Sequence, residues 1–176
     1  NIYTITASAN TGGKKDPSGQ VQVKHSGSSM FLITPDVGHH VKDVKVDNQS
    51  IGTAKSYTFY NVTANHTISA EFEIDKYKIT SAVKGANGSI SPLGEVVVNY
   101  GGNQAFQIEP KSGYSILELL IDGKPIQALT TYTFNNVTSD HTISVEFMEG
   151  AKTINASAGK GGSINPSGAV NVNPGG

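Results

Sequence analysis

Tyr57-Thr-Phe-Tyr-Asn-Val-Thr-Ala-Asn-His-Thr-Ile-Ser-Ala-Glu-Phe72 is answered later in the chain by Tyr132-Thr-Phe-Asn-Asn-Val-Thr-Ser-Asp-His-Thr-Ile-Ser-Val-Glu-Phe147. The displacement is about 75 residues, and self-similarity at a fixed period marks a tandem array. Inside each stretch the apolar residues of a run share one parity, Tyr57 with Phe59 in the first run and Ile68 with Ala70 and Phe72 in the second. Strict alternation of this kind is the signature of strands with one face buried.

Working outward, the whole segment from Tyr3 to Asp75 reappears from Tyr77 to Gly150. Tyr3-Thr-Ile-Thr matches Tyr77-Lys-Ile-Thr, Pro17-Ser-Gly matches Pro92-Leu-Gly, and Phe31-x-Ile-x-Pro matches Phe106-x-Ile-x-Pro. A third copy starts at Thr153-Ile-Asn-Ala-Ser-Ala and runs through Gly161-Gly-Ser-Ile-Asn-Pro-Ser-Gly to Val170-x-Val172. The units are therefore 1–75, 76–150 and an incomplete 151–176. The third holds only first strands, and strands without partners leave backbone groups unpaired and an apolar face open. Either the chain continues, or these strands complete a neighbouring molecule.

Ile5 with Ala7, Val21 with Val23, Phe31 with Ile33, and Val44 with Val46 extend the alternation to six or seven strands per module. Turn signals fall between them: Ser26-Gly27, Gly101-Gly102, and the hairpin pairs Asp47-Asn48 and Asp122-Gly123, residue types that accept reversals. Val41 is out of step with Val44, which predicts a bulge or one helical turn. Each module is expected to be a small β-sandwich or β-grasp-like sheet, and the short link Ile74-Asp75-Lys76 to stack the modules into a rod.

Composition agrees with an all-β chain: among 176 residues stand 20 Gly and 7 Pro, with no Trp. A formal charge of −1 gives no electrostatic reason to expect nucleic acid or anionic membranes. Having no Cys removes disulfides and thiolate chemistry. No apolar run approaches the roughly 20 residues of a membrane span.

Together with Gly88-Ser-Ile-Ser-Pro, Gly113-Tyr114 and Leu119-x-Ile-Asp-Gly, these landmarks resemble the divergent internalin-type B-repeat of secreted and surface-anchored proteins. The resemblance covers nearly the whole chain. It implies a compact β module used in tandem as a spacer or adhesive stalk, on the cell surface or outside it, with no catalytic residues to carry over. His39, where the second copy has Tyr114, keeps a ring.

Candidate chemistry is sparse. His66 and His141 recur, but no His or paired carboxylate repeats close to them in sequence, so a turn or core role is expected rather than general-base or metal chemistry. Adjacent His39 and His40 point to opposite faces of a strand and cannot share a metal. A hairpin explains Asp47 and Asp122 without calcium, and no Gly-x-Ser-x-Gly elbow is present. Lys24, Lys42, Lys45 and Lys55 face Asn99, Leu117, Leu120 and Thr130, which argues against an isopeptide staple common to both modules. No cofactor and no enzyme activity are expected.

Sequons stand at Asn48, Asn61, Asn65, Asn87, Asn136 and Asn155. Asn61 and Asn136 recur before the last strand and are the candidate glycosylation sites, although an Asn supporting a turn explains them equally. Where the first module has Gln22, Lys42, Lys45, Ala54 and Glu73, the second has Val97, Leu117, Leu120, Leu129 and Met148. Those five predict an apolar contact face, for self-association or for a surface or filament partner, unless some of them extend the module's own core. A stalk, matrix or filament segment follows. The alternatives are a carbohydrate-binding module, which would need a row of exposed aromatics that the recurring Tyr57 and Tyr132 do not supply, and an accessory region of a secreted enzyme.

Overall fold

The computed structural model describes residues 1–172; the last four positions of the 151–176 segment lie outside the described residues. No helix occurs among those described. The chain divides into two compact units, Asn1–Lys76 with Asn99–Gly101, and Tyr77–Val98 with the chain from Gly102 onward.

The first unit contains β1 (Ile2–Ala9), β2 (Gly13–Asp16), β3 (Gly19–Lys24), β4 (Ser29–Pro35), β5 (His39–Val46), β6 (Gln49–Ser50), β7 (Ser56–Phe59) and β8 (His66–Ile74). A five-stranded sheet in the order β3-β1-β8-β5-β6 and a three-stranded sheet β2-β4-β7 enclose one core. β1 and β8, the first and last strands, run parallel, with Ile5 opposite His66 and Ala7 opposite Ile68. Every other pairing in the unit is antiparallel.

The second unit repeats the plan with β9 (Lys76–Lys84), β10 (Gly88–Ser91), β11 (Gly94–Asn99), β12 (Gln104–Pro110), β13 (Tyr114–Ile121), β14 (Lys124–Ile126), β15 (Thr131–Phe134) and β16 (His141–Glu149). Its sheets are β11-β9-β16-β13-β14 and β10-β12-β15, with β9 and β16 parallel. Each complete module thus has eight strands rather than six or seven. The surplus comes from ladders such as the two-residue β6, too short to show any alternation.

The parity read from sequence is the parity of the cores. Ile5, Phe31, Val44 and Ile68 are fully buried, as are Phe106, Ile79, Leu119 and Ile143. Burying each such side chain contributes about 1.5–3 kcal/mol. Phe31 meets Phe59 edge-on at 5.9 Å, and Phe106 meets Phe134 in the same way at 6.0 Å, the arrangement favoured by ring quadrupoles. The expected irregularity at Val41 is a β-bulge between Val41 and Asp43, repeated between Ile116 and Glu118.

One glycine position is dictated by packing. A Cβ on Gly13 would collide with the ring of Phe72, and one on Gly88 with the ring of Phe147. The Asp16–Pro17, Ser91–Pro92 and Asn165–Pro166 bonds are all cis. Beyond the second core, β17 (Lys152–Ala156) and β18 (Gly168–Val172) form a two-stranded antiparallel sheet.

Candidate functional site

The most ordered polar arrangement is built twice. Asp47 and Asn48 turn the chain between β5 and β6 with φ of 47° and 65°, and Asp122 and Gly123 do so between β13 and β14 with φ of 51° and 72°. The left-handed conformation at both central residues is what a two-residue hairpin needs, and explains the Asp-Asn and Asp-Gly choice. Each turn aims its aspartate at the start of the closing strand. Asp47 Oδ1 accepts the Thr67 amide at 2.8 Å and Oδ2 pairs with His66 Nδ1 at 2.7 Å. Asp122 takes the Thr142 amide and His141 Nδ1, both at 2.8 Å. The imidazoles rest on Phe59 and Phe134 at 5.0 and 4.9 Å.

Burial raises the Asp47 and Asp122 carboxyls, but the amide of Thr67 or Thr142 and the adjoining imidazole outweigh it and hold both below the ordinary range. Sequence proximity offers no carboxylate common to both histidines, since Asp140 beside His141 is matched by Asn65 beside His66. The fold supplies one to each across a separation of 19 residues, because the hairpin folds back onto the closing strand. The histidines open the closing strands β8 and β16, clasped by Asp and capped by a core ring. Both carboxylate oxygens of each aspartate are occupied within this clasp.

Beside the first clasp lies an open polar groove of about 500 Å³, walled by Thr4, Thr6, Gln20, Asn48 and Asn65. Its counterpart of about 400 Å³ has Lys78, Thr80 and Asp140. The loop before the closing strand also ties down the first strand: Asn65 Oδ1 accepts the Thr4 amide, and Asp140 Oδ1 the Lys78 amide, each at 2.8 Å.

Residues 3–76 match the family model of the divergent InlB B-repeat domain. That stretch, the first module, is similar to a divergent InlB B-repeat. The landmarks of that matched stretch, from the cores to the clasps, recur in the second module. No curated protein and no solved structure matches the chain.

The B-repeat fold also places the other candidate residues. Asn61 and Asn136 are exposed, each with a φ of 51°. The residue after each, Val62 or Val137, is buried and donates its amide to Gly27 or Gly102. A left-handed corner before an anchored valine accounts for the recurrence of Asn, whose short amide tolerates that conformation.

Of the five apolar substitutions, Val97, Leu117, Leu129 and Met148 are exposed and Leu120 is half-buried. They do not form one row. Val97 stands on β11, with β9 and β16 between it and β13, and Leu129 lies in the loop after β14. Leu117 and Met148 do belong together. In the first module Lys42, at the bulge, contacts Glu71 at 2.9 Å and Glu73 at 3.7 Å. Leu117 and Met148 occupy the places of Lys42 and Glu73, while Lys84 takes over the remaining acids, at 3.7 Å from Glu146 and 3.8 Å from Glu118. An ion cluster has been exchanged for an apolar pair.

One buried group escaped the sequence comparison. Lys15, only 5% exposed, donates from Nζ to the carbonyls of Ser8 and Ile68, both at 2.7 Å. Burial lowers its pKa to about 8. The second module has Ile90 at this place and instead buries Ser81, whose hydroxyl donates to the Pro92 carbonyl at 2.7 Å. Lys15 had no signal in sequence, since its parity within the four-residue β2 could not be fixed. Its two partners are both backbone carbonyls, an electrostatic staple rather than a covalent one.

Proposed function

We propose that this chain is an extracellular, non-catalytic structural segment whose modules are units of a stalk, matrix or filament. The observation that carries the reading is what the two modules share and what they vary. Both keep the core rings, the bulge, the hairpin and the Asp–His clasp, every one of which holds the module together. The outward residues differ, including the groove walls and the ion cluster. A catalytic centre requires convergent groups left available to a substrate, whereas the recurring polar groups here are engaged within the module. Antibodies to the modules, imaged by electron microscopy on native material, test this. Label on an external fibre, stalk or matrix supports it, and label confined to the cell interior overturns it.

Contact with another copy or a surface partner is proposed for the second module around Leu117 and Met148. Restoring the first module's charges with Leu117→Lys and Met148→Glu is expected to abolish association in sedimentation experiments. Association unaltered by that pair of changes would remove this surface from consideration. Glycosylation at Asn61 and Asn136 is a further proposal, tested by intact mass on native material. A second reading, glycan binding, is favoured by one observation: beside Asp47 and His66 the first groove is lined by hydroxyl and amide groups suited to a polyol. Tyr57 and Tyr132, however, are half-buried against the cores, so stacking would depend on Tyr60, which is 76% exposed. A glycan array separates the two readings.

A further inference from the structure

The three-stranded sheet β2-β4-β7 of the first module turns Phe31, Ile33 and Phe59 into the core. Residues of the other parity point outward, and three of them are large and apolar: Met30 is 61% exposed, Leu32 49% and Tyr60 76%. They are neighbours. Met30 and Leu32 stand two apart on β4, and Met30 lies opposite Thr58, with Tyr60 the next residue on that face, a diagonal within reach of an aromatic ring. The equivalent positions of the second module hold Ala105, Gln107 and Asn135, all exposed. Other large exposed apolar residues, such as Ile2, Val37 and Leu93, stand on separate strands or loops, which is ordinary for a protein surface.

The two modules are therefore opposite in what they expose. The first has an apolar stripe on its three-stranded sheet and the cluster of Lys42, Glu71 and Glu73 on its five-stranded sheet. The second has polar side chains on the former and Leu117 with Met148 on the latter. Their rims are complementary in charge. Asp16 stands opposite Leu32 on β2 and Lys14 one step further along the same face; both are exposed, and neither forms an ion pair among the described residues. Beside Leu117 and Met148, Glu118 and Glu146 share Lys84 at 3.8 and 3.7 Å, which leaves one negative charge in excess.

We propose that the Met30, Leu32 and Tyr60 stripe of one copy packs on the Leu117 and Met148 surface of another, so that the chain assembles head to tail. The proposal rests on the association assigned above to Leu117 and Met148, and supplies its partner. Both patches are exposed in the single chain, so each is open to a second copy, with Lys14 toward the acidic excess and Asp16 toward Lys84. Because the patches differ, the contact is heterologous. Every copy that joins brings an unused patch of each kind, so growth passes beyond a dimer to a filament or a ring. Patches of two and three side chains bury less than the roughly 1,200 Å² of a standard interface. A single contact is accordingly weak, with assembly expected from on the order of 0.1 mM.

Sedimentation velocity on two variants of the 176-residue chain, each copying the other module, tests this. Met30→Ala with Leu32→Gln and Tyr60→Asn removes the stripe, and Leu117→Lys with Met148→Glu removes its partner. Every replaced side chain is exposed, so both variants should melt as the parent does. The parent is expected to give a concentration-dependent series of oligomers, and each variant alone a monomer. Their equimolar mixture should give a one-to-one heterodimer and nothing larger, because one stripe and one partner surface remain between the two chains. That heterodimer also shows that both variants are folded. A stripe variant that assembles like the parent, while Leu117→Lys with Met148→Glu abolishes assembly, leaves the earlier contact standing and overturns the pairing. A mixture that remains monomeric overturns it too. A parent that is monomeric up to about 1 mM removes the pairing and the earlier contact together.

Discussion

Lys15 and Ile90 are two answers to one buried position, and the difference is measurable. A lysine whose folded pKa is lowered to about 8 is still charged up to pH 10 when unfolded. Between those values the unfolded chain binds more protons, so the first module gains stability as pH rises through that window. Below about 8 both states are charged and the full penalty of the buried ammonium applies. Lys15→Ile, which copies the second module, should therefore be as stable as the parent at pH 7 or more stable by on the order of 1 kcal/mol. It should also lose the rise in stability between pH 8 and 10, as read from urea titrations monitored at the β1 and β8 amides. The aspartates work in the opposite sense. Their folded pKa values are lowered, so their contribution is present above the unfolded value and disappears as pH falls through the folded one. Asp122→Ala removes a charged acceptor from the Thr142 amide and His141, and should cost about 1–3 kcal/mol at pH 7. Urea titration repeated at pH 3 should show a smaller gap between variant and parent. Both sites were hard to read from sequence because Ile68, one of the two partners of Lys15, and the partner in each Asp–His pair come from strands that only the fold brings close.

Among the elements, the strands with alternating burial were legible, and so were the bulge near Val41 and the Asp-Asn and Asp-Gly hairpins, because each depends on neighbours along the chain. The parallel pairing of β1 with β8 was not, since it joins residues about 60 positions apart and leaves no local trace. The contact face read from five substitutions was legible only in part: parity placed Leu117 and Met148 outward, but strand order, which parity does not contain, separates Val97 from them. Gly13, Gly88 and Gly162 look alike in sequence and differ in surroundings. Gly88→Ala should lower stability by about 1–3 kcal/mol through overpacking against Phe147, and Gly13→Ala should do likewise against Phe72. Gly162→Ala should leave the melting temperature unchanged in calorimetry.

For the molecule as a whole, two separate cores imply two separate ledgers. Phe106→Ala should cost about 3–5 kcal/mol, with the loss of amide protection confined to strands around the second core and the strands around Phe31 unaffected. The parallel pairing of first and last strands also decides how a module answers tension. Its chain enters at Ile2 and leaves at Ile74, and because β1 and β8 point the same way these two points lie at opposite ends of the pair. A pull on the two termini slides one strand along the other, loading the ladder's hydrogen bonds together instead of unzipping them singly. In a force-extension trace each module should resist until it gives way abruptly, a property suited to a fibre held under load.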